Sequence, residues 1–200
     1  MGDPRGIAAR FVARVGAVNR LPLLATAVAL GLAVAACGSS ASSSSPGGGA
    51  TTSLAGHPAG AQPSVSAKMI CSTEARTDIA ASLGVTAKVS TPTWVNDVYS
   101  CTYTYPNGVL TLSVKELDTK AQTTQVYNAY ATQLGRRTTS VAFGEGAFLT
   151  TNGSVIVRKD FKVLDVDVSK LPVKFGVPPQ DRSSAALSVA ATVMGCWTGS

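Results

Sequence analysis

The chain contains 200 residues, of which 45% are hydrophobic and 14% are charged, and its formal net charge at pH 7 is +6. Four basic residues and one acidic residue precede position 37, which leaves 13 basic and ten acidic residues after it. Because those lysines and arginines are scattered, no basic patch for nucleic acid is predicted. The single histidine, His57, lies in a stretch too polar to fold, which excludes histidine-dependent catalysis and histidine-based zinc sites from the folded part.

The first 36 residues are organised like a secretory signal peptide. Four arginines precede sixteen uncharged, mostly aliphatic residues from Leu21 to Ala36, which is the order of a positive n-region and an apolar h-region. A membrane-spanning helix needs about 20 apolar residues, and no basic cluster follows the run. A retained transmembrane helix is therefore the less favoured alternative.

Residues 34–37, Val-Ala-Ala-Cys, resemble the lipobox of bacterial lipoproteins, in which one aliphatic and two small residues precede a cysteine. The resemblance implies that a peptidase cuts between Ala36 and Cys37 and that the sulfur of Cys37 carries a diacylglyceryl group. Two or more acyl chains hold a protein stably at a bilayer, so the mature chain would be anchored to the membrane. An ordinary signal peptide with an incidental cysteine is the alternative.

Residues 37–67 are predicted to form a disordered tether behind the lipidated cysteine. After Cys37 this stretch is rich in Ser, Gly, Ala and Pro and contains no charged residue, so it cannot bury a core. Residues 68–200 have a length that suits one globular domain with a single core.

Hydrophobic periodicity and turn residues predict the elements of this domain. The first half contains a helix over 72–83 ending at Gly84, a strand over 85–94, and a hairpin of 98–105 with 110–114. The second half contains a helix over 119–134 capped by Asp118, a three-stranded meander within 141–173, and a helix over 182–195. The meander is expected to turn at Asn152-Gly153 and at Lys159-Asp160. Asn152-Gly153 is expected to form a type I′ turn. Strands segregated from helices predict an α+β fold, an antiparallel sheet of about six strands with three helices packed mainly on one face.

Four residues of the first hairpin strand share one face: Tyr99, Cys101, Tyr103 and Tyr105. Such a stripe could form a platform for sugars or aromatic groups, in which case Tyr99 and Tyr103 would contact the ligand. The favoured interpretation is that the stripe faces the core.

Three cysteines follow Cys37, and one disulfide among them has three alternatives. The favoured pair is Cys71–Cys101, which would hold the start of the first helix against the first hairpin. Cys71–Cys196 is the main competitor.

Carboxylates are the remaining candidates for chemistry. Asp165 and Asp167 share one strand face and could bind a cation or form a pair with one raised pKa, but cross-strand pairing with Arg158 or Lys159 is the favoured explanation. Glu145 lies between two glycines and is a candidate ligand contact. No motif for catalysis, metal binding or a cofactor is found, so the chain is predicted not to be an enzyme.

The order of these features is similar to that of small, mostly uncharacterised actinobacterial lipoproteins of the mycobacterial and streptomycete type. It comprises the lipobox, the small-residue tether, Cys71 before a helix ending Leu83-Gly84, the Cys101-x-Tyr103 strand, and the run 144–148 leading to 155–160. The resemblance implies fold relatives among envelope sensor and protein-binding domains, a location on the outer face of the cytoplasmic membrane, and no catalytic residues.

These features together favour a non-catalytic binding or accessory module of the cell envelope that recognises a lipid, a glycan or an envelope protein. The first alternative is a subunit or inhibitor that contacts only proteins, and the second is a wall-glycan hydrolase that uses Glu145, Asp165 or Asp167. An apolar pocket would favour the binding module, whereas a solid core with a flat exposed patch would favour the protein-only alternative.

Overall fold

The computed structural model describes residues 58–198. The helices in this range are α1 (Val65–Met69), α2 (Thr73–Leu83), α3 (Lys120–Gln133) and α4 (Arg182–Thr198). The strands are β1 (Lys88–Val89), β2 (Thr93–Val95), β3 (Val98–Tyr105), β4 (Gly108–Glu116), β5 (Arg136–Val141), β6 (Gly146–Thr150), β7 (Val155–Lys159), β8 (Lys162–Lys170), β9 (Lys174–Phe175) and β10 (Gln180–Asp181). The predicted signal peptide, the cleavage and lipidation site at Ala36 and Cys37, and the tether up to residue 57 lie outside the described residues.

The predicted α+β class is confirmed, with a larger sheet than expected. The main sheet has eight strands rather than about six, in the order β1-β3-β4-β8-β7-β6-β5 with β2 also paired to β3. Neighbouring strands pair antiparallel throughout, and β9 and β10 form a separate two-stranded ribbon. The extra strands are short or lie at the edge, where the sequence carries few alternating apolar residues.

Helices cover both faces of the sheet, although most lie on one. Residues of α1, α2 and α4 pack with the inner residues of β3, β4, β7 and β8 in the main core. On the opposite face α3 closes a smaller core of five residues: Leu117, Tyr127, Phe148, Ile156 and Val163. The strands beneath the helices therefore bury both faces, whereas the β3 face opposite the main core carries Ser100, Thr102 and Thr104.

One turn differs from its prediction, and another was not predicted. Asn152-Gly153 does not form a type I′ turn, because only Gly153 has a positive φ of 93°. A three-residue loop closes instead, and the Asn152 side-chain oxygen accepts from the backbone N–H of Ser154 at 3.0 Å. The turn with two positive φ values, as type I′ requires, is Asn96-Asp97 between β2 and β3, with φ of 52° and 58°.

Thr119, not Asp118, is the N-cap of α3. Its hydroxyl accepts from the backbone N–H of Gln122, and the Gln122 side chain accepts from the backbone N–H of Thr119, which together form a capping box. Asp118 contributes its backbone N–H to the same glutamine side chain at 3.2 Å. The predicted cap, Asp118, therefore lies one residue before the observed cap.

The folded part begins before residue 68, which is the boundary predicted from the sequence. Ser64 caps α1, and its backbone N–H donates to the buried carboxylate of Glu116 at 3.2 Å. Ala67 is fully buried, and the indole N–H of Trp197 donates to the carbonyl oxygen of Ser66 at 2.8 Å. Glu116 lies 52 residues away, so no local pattern near Ser64 could indicate that this polar stretch is held by it.

Candidate binding groove

An apolar groove of about 260 Å³ opens between helix α2 and the edge strand β1. One wall is formed by α2, the other by the chain from Val85 to Val89, and the floor by two tyrosines of β3. Its lining residues are Thr73, Arg76, Thr77, Ile79, Ala80, Val85, Thr86, Ala87, Val89, Tyr103 and Tyr105. Aliphatic side chains and aromatic rings dominate, which is the usual composition of a small-molecule pocket.

The start of α2 is fixed to β3 by two bonds. Cys71 and Cys101 form a disulfide with Cα atoms 6.0 Å apart, so the favoured pairing is confirmed and Cys196, half-buried on α4, takes no part in it. Two residues further along β3, the Tyr103 hydroxyl donates to the carbonyl oxygen of Ile70 at 2.7 Å. These bonds hold the helical wall of the groove against its floor.

The end of α2 is fixed by a close approach of the loop before α4. Gly84 has a φ of 65°, and a Cβ at this position would lie 2.0 Å from the carbonyl oxygen of Val177. The backbone N–H of Val177 in turn donates to the carbonyl oxygen of Leu83 at 2.8 Å. Glycine is thus required at 84, where the sequence predicted the helix to stop.

The tyrosine stripe faces the core, as the favoured interpretation predicted. Tyr103 and Tyr105 are 1% and 5% exposed and Cys101 is buried with them, whereas Tyr99 at the start of the strand is half-buried. The rings of Tyr103 and Tyr105 nevertheless line the groove. Contact of Tyr103 with a ligand remains a prediction, and Tyr99 is not among the residues that line this cavity.

The two phenols of the floor differ in their hydrogen bonding. Burial, partly offset by the Arg76 charge, raises the pKa of Tyr103 to about 12, and burial followed by the neighbouring Tyr103 raises the pKa of Tyr105 further. Both groups therefore keep their protons at neutral pH and can donate. Tyr103 does so to Ile70, whereas the buried hydroxyl of Tyr105 has no partner among the described residues.

Arg76 supplies the only charge among the lining residues. Its Nε donates to the carbonyl oxygen of Cys71 at 3.0 Å, which positions the guanidinium beside the disulfide. No other described residue forms an ion pair with it. Neither Arg76 nor Tyr105 was assigned to a site from the sequence, because only the pairing of β1 with β3 brings them to one cavity.

Glu145 lies elsewhere, in the loop between β5 and β6. Its carboxylate forms an exposed ion pair with Lys120 at 3.1 Å, and its backbone N–H donates to the carbonyl oxygen of Arg158 at 2.8 Å. A Cβ at Gly144 would lie 2.5 Å from the same oxygen. Glycine at 144 therefore allows the loop to approach β7, and Glu145 does not line the groove.

Asp165 and Asp167 lie on the face of β8 that α3 covers, and their predicted pairing with Arg158 or Lys159 is wrong. Asp165 is opposite Ile156 on one side and Ser113 on the other, whereas Arg158 is opposite Val163. Asp167 accepts from the backbone N–H of Ser169 at 2.8 Å and from the hydroxyl of Ser154 at 3.2 Å. The neighbours of Asp165 depend on the order of the strands in the sheet, which the local sequence pattern does not show.

The two aspartates differ in their environment. One carboxylate oxygen of Asp165, Oδ1, is buried without a hydrogen-bond partner among the described residues. Burial, and then the charge of Asp167, raises the pKa of Asp165 to about 7. Within residues 58–198, no group of three or more His, Cys, Asp or Glu side chains is placed to hold a metal ion.

A second cavity, of about 360 Å³, is polar and lies at the other end of the sheet. It is lined by Arg137, Thr151, Asn152, Gly153, Val173, Asp181, Arg182 and Ser183. Its two charged groups on α4 and β10 already have partners, because Arg182 donates to the carbonyl oxygen of Leu171 and Asp181 pairs with Lys174.

Comparison of the chain with protein-family models, with curated proteins and with solved structures found no match. The helices of the described part are each too short or too polar to cross a bilayer.

Proposed function

We propose that this protein is a lipid-anchored, extracytoplasmic binding module of the cell envelope that holds a small apolar ligand in the α2–β1 groove. The observation that supports this most directly is the groove itself, a concave site with an aliphatic and aromatic lining and few polar groups. The lining of the groove contains no carboxylate, thiol or imidazole. We therefore propose that the groove binds its ligand without catalysing a reaction.

The disulfide fits an oxidising location outside the cytoplasm, because such bonds persist there and are rare in reducing compartments. The lipobox-like residues 34–37 extend this to an anchor at Cys37. We propose that the mature chain stands on the outer face of the cytoplasmic membrane, in the manner of the actinobacterial lipoproteins that it resembles.

Native mass spectrometry of the full chain, purified from an actinobacterial host, tests the binding function. We expect an additional mass that is lost on mild activation. The Ala80→Phe variant places a ring in the groove, because Ala80 is a lining residue, and should lack this mass.

Ala81→Phe is the matched control, since Ala81 is exposed on the same helix and does not line the groove. This variant should retain the additional mass. An unmodified mass for the wild-type chain, or equal ligand occupancy in the Ala80→Phe variant, would contradict the proposed binding site.

Replacement of Cys37 by alanine tests the anchor. The thiol accepts the lipid, so Cys37→Ala should leave an uncleaved precursor or release the protein to the medium, as measured by membrane fractionation and by the mass of the N-terminal peptide. Ser40→Ala, which leaves residues 34–37 intact, should be processed normally. Normal processing and membrane retention of the Cys37→Ala variant would rule out this anchor.

A further inference from the structure

We propose that the groove binds a small amphiphilic anion, with an apolar body against the valine and alanine walls and the tyrosine floor, and with an acidic group beside Arg76. This inference rests on the proposed binding function and adds the chemical class of the ligand.

The size of the groove limits the apolar body. A non-hydrogen atom takes roughly the volume of a water molecule in the liquid, about 30 Å³, so a cavity of about 260 Å³ holds on the order of nine such atoms. An eight-carbon carboxylate is of this size. A longer acyl chain would extend out of the opening between α2 and β1.

The charge of the ligand follows from Arg76. It is the only charged lining residue, and its Nε bond to Cys71 holds the guanidinium in place while leaving the terminal nitrogens without an ion pair to any described residue. A guanidinium binds a carboxylate or phosphate through two parallel hydrogen bonds. A cationic ligand would instead be repelled, and a neutral one would leave the half-buried guanidinium to solvent alone.

Tyr105 contributes to the site of the apolar body. It is 5% exposed, its ring lines the groove, and an edge-to-face contact with Phe175, at 4.8 Å between ring centroids, fixes this ring. Its hydroxyl is buried and has no partner between residues 58 and 198, so a ligand in the groove would contact the ring and not the hydroxyl.

The test is calorimetric titration of the full chain, held in phospholipid nanodiscs, with three probes of equal length: octanoate, octan-1-ol and octylammonium. Empty nanodiscs serve as the blank for partitioning into lipid. We expect octanoate to bind about tenfold more tightly than the other two probes, which corresponds to one charge-assisted hydrogen bond. Arg76→Gln should remove this preference, and Arg76→Lys should restore part of it.

Lys88→Gln is the matched control for the loss of a positive charge. Lys88 is exposed on β1 and does not line the groove, so this variant should keep the preference for octanoate. Loss of the preference in both variants would show that it reflects the overall charge of the chain, and would overturn the role of Arg76.

The outcomes distinguish the two proposals. Equal affinities for octanoate and octan-1-ol, or an unchanged preference after Arg76→Gln, would overturn the anionic class while leaving the groove as an apolar binding site. If none of the three probes binds, both this inference and the proposed function of the groove are overturned.

Discussion

Removal of the Cys71–Cys101 disulfide is expected to lower the free energy of unfolding by about 3.5 kcal/mol, on the chain-entropy estimate for a loop of 30 residues. The bond joins the start of α2 to the middle of β3, and both cysteines are buried in the main core at 4% and 2% exposure. Without it the unfolded chain gains conformational freedom, while the folded chain keeps the Tyr103–Ile70 hydrogen bond beside it.

Urea unfolding of the Cys71→Ala/Cys101→Ala variant measures this cost, and the wild-type chain in reductant should behave in the same way. The Cys196→Ala variant is the control, since Cys196 is half-buried and lies outside the disulfide, so it should remain sensitive to reductant and lose much less stability. An unfolding transition of the wild-type chain that reductant leaves unchanged, together with native alkylation of Cys101, would contradict the pairing.

Loss of the disulfide should also change the position of Arg76 in the groove. Arg76 donates to the carbonyl oxygen of Cys71, so a looser start of α2 moves the guanidinium away from the floor formed by Tyr103 and Tyr105. The disulfide thus has a role in positioning the proposed site as well as in folding.

Local patterns in the sequence predicted much of the fold. The alternation from Val98 to Tyr105 specifies a strand because the side-chain period of a strand is two, and the same alternation correctly placed Cys101, Tyr103 and Tyr105 toward the core. Helix α2 follows from apolar residues at helical spacing and from Gly84, whose positive φ ends it.

The site could not be predicted to the same extent, because it depends on contacts between distant residues. Arg76 and Tyr105 carry no motif, and they line one cavity only because α2 packs beside the strand pairing of β1 with β3. Likewise the start of the fold depends on Glu116 accepting from Ser64. Composition correctly describes the stretch before residue 68 as polar, but it contains no information about an acceptor at the end of β4.

Asp165 is the clearest case of a residue whose environment overrides its ordinary chemistry, and its replacement should alter how stability depends on pH. Burial raises its pKa from 3.8 to about 7, so the folded chain binds a proton that the unfolded chain has released between about pH 4 and pH 7. Stability contributed by this group is therefore fully present below about pH 4, is lost as the pH rises toward 7, and stays low above that.

The position of α3 accounts for this environment. Tyr130 of α3 lies close enough for the Asp165 charge to raise its pKa, after the larger effect of its own burial, and Asp167 adds a second negative charge from the same strand. Asp167 itself is stabilised by its bonds to Ser154 and Ser169. Burial therefore destabilises the charged form of Asp165. At neutral pH this carboxyl group is either protonated, or it is charged and weakens the packing between α3 and β8.

Asp165→Asn should remove this cost, because the amide is neutral at every pH. We expect the variant to match wild type near pH 4 and to be more stable at pH 8, by up to about 4 kcal/mol if the full shift of three pKa units is realised. Urea unfolding at intervals between pH 4 and pH 8 gives this difference directly, and a ¹³C titration of the carboxyl group measures the pKa independently.

Asp167→Asn is the control, and its readout is the pKa of Asp165. This pKa should fall because a neighbouring negative charge is lost, while the amide also weakens the bonds from Ser154 and Ser169. A stability difference for Asp165→Asn that stays constant between pH 4 and pH 8 would show that this carboxyl titrates normally. In that case α3 would not exclude water from it, and the packing of α3 on β8 would be looser than the structure has it.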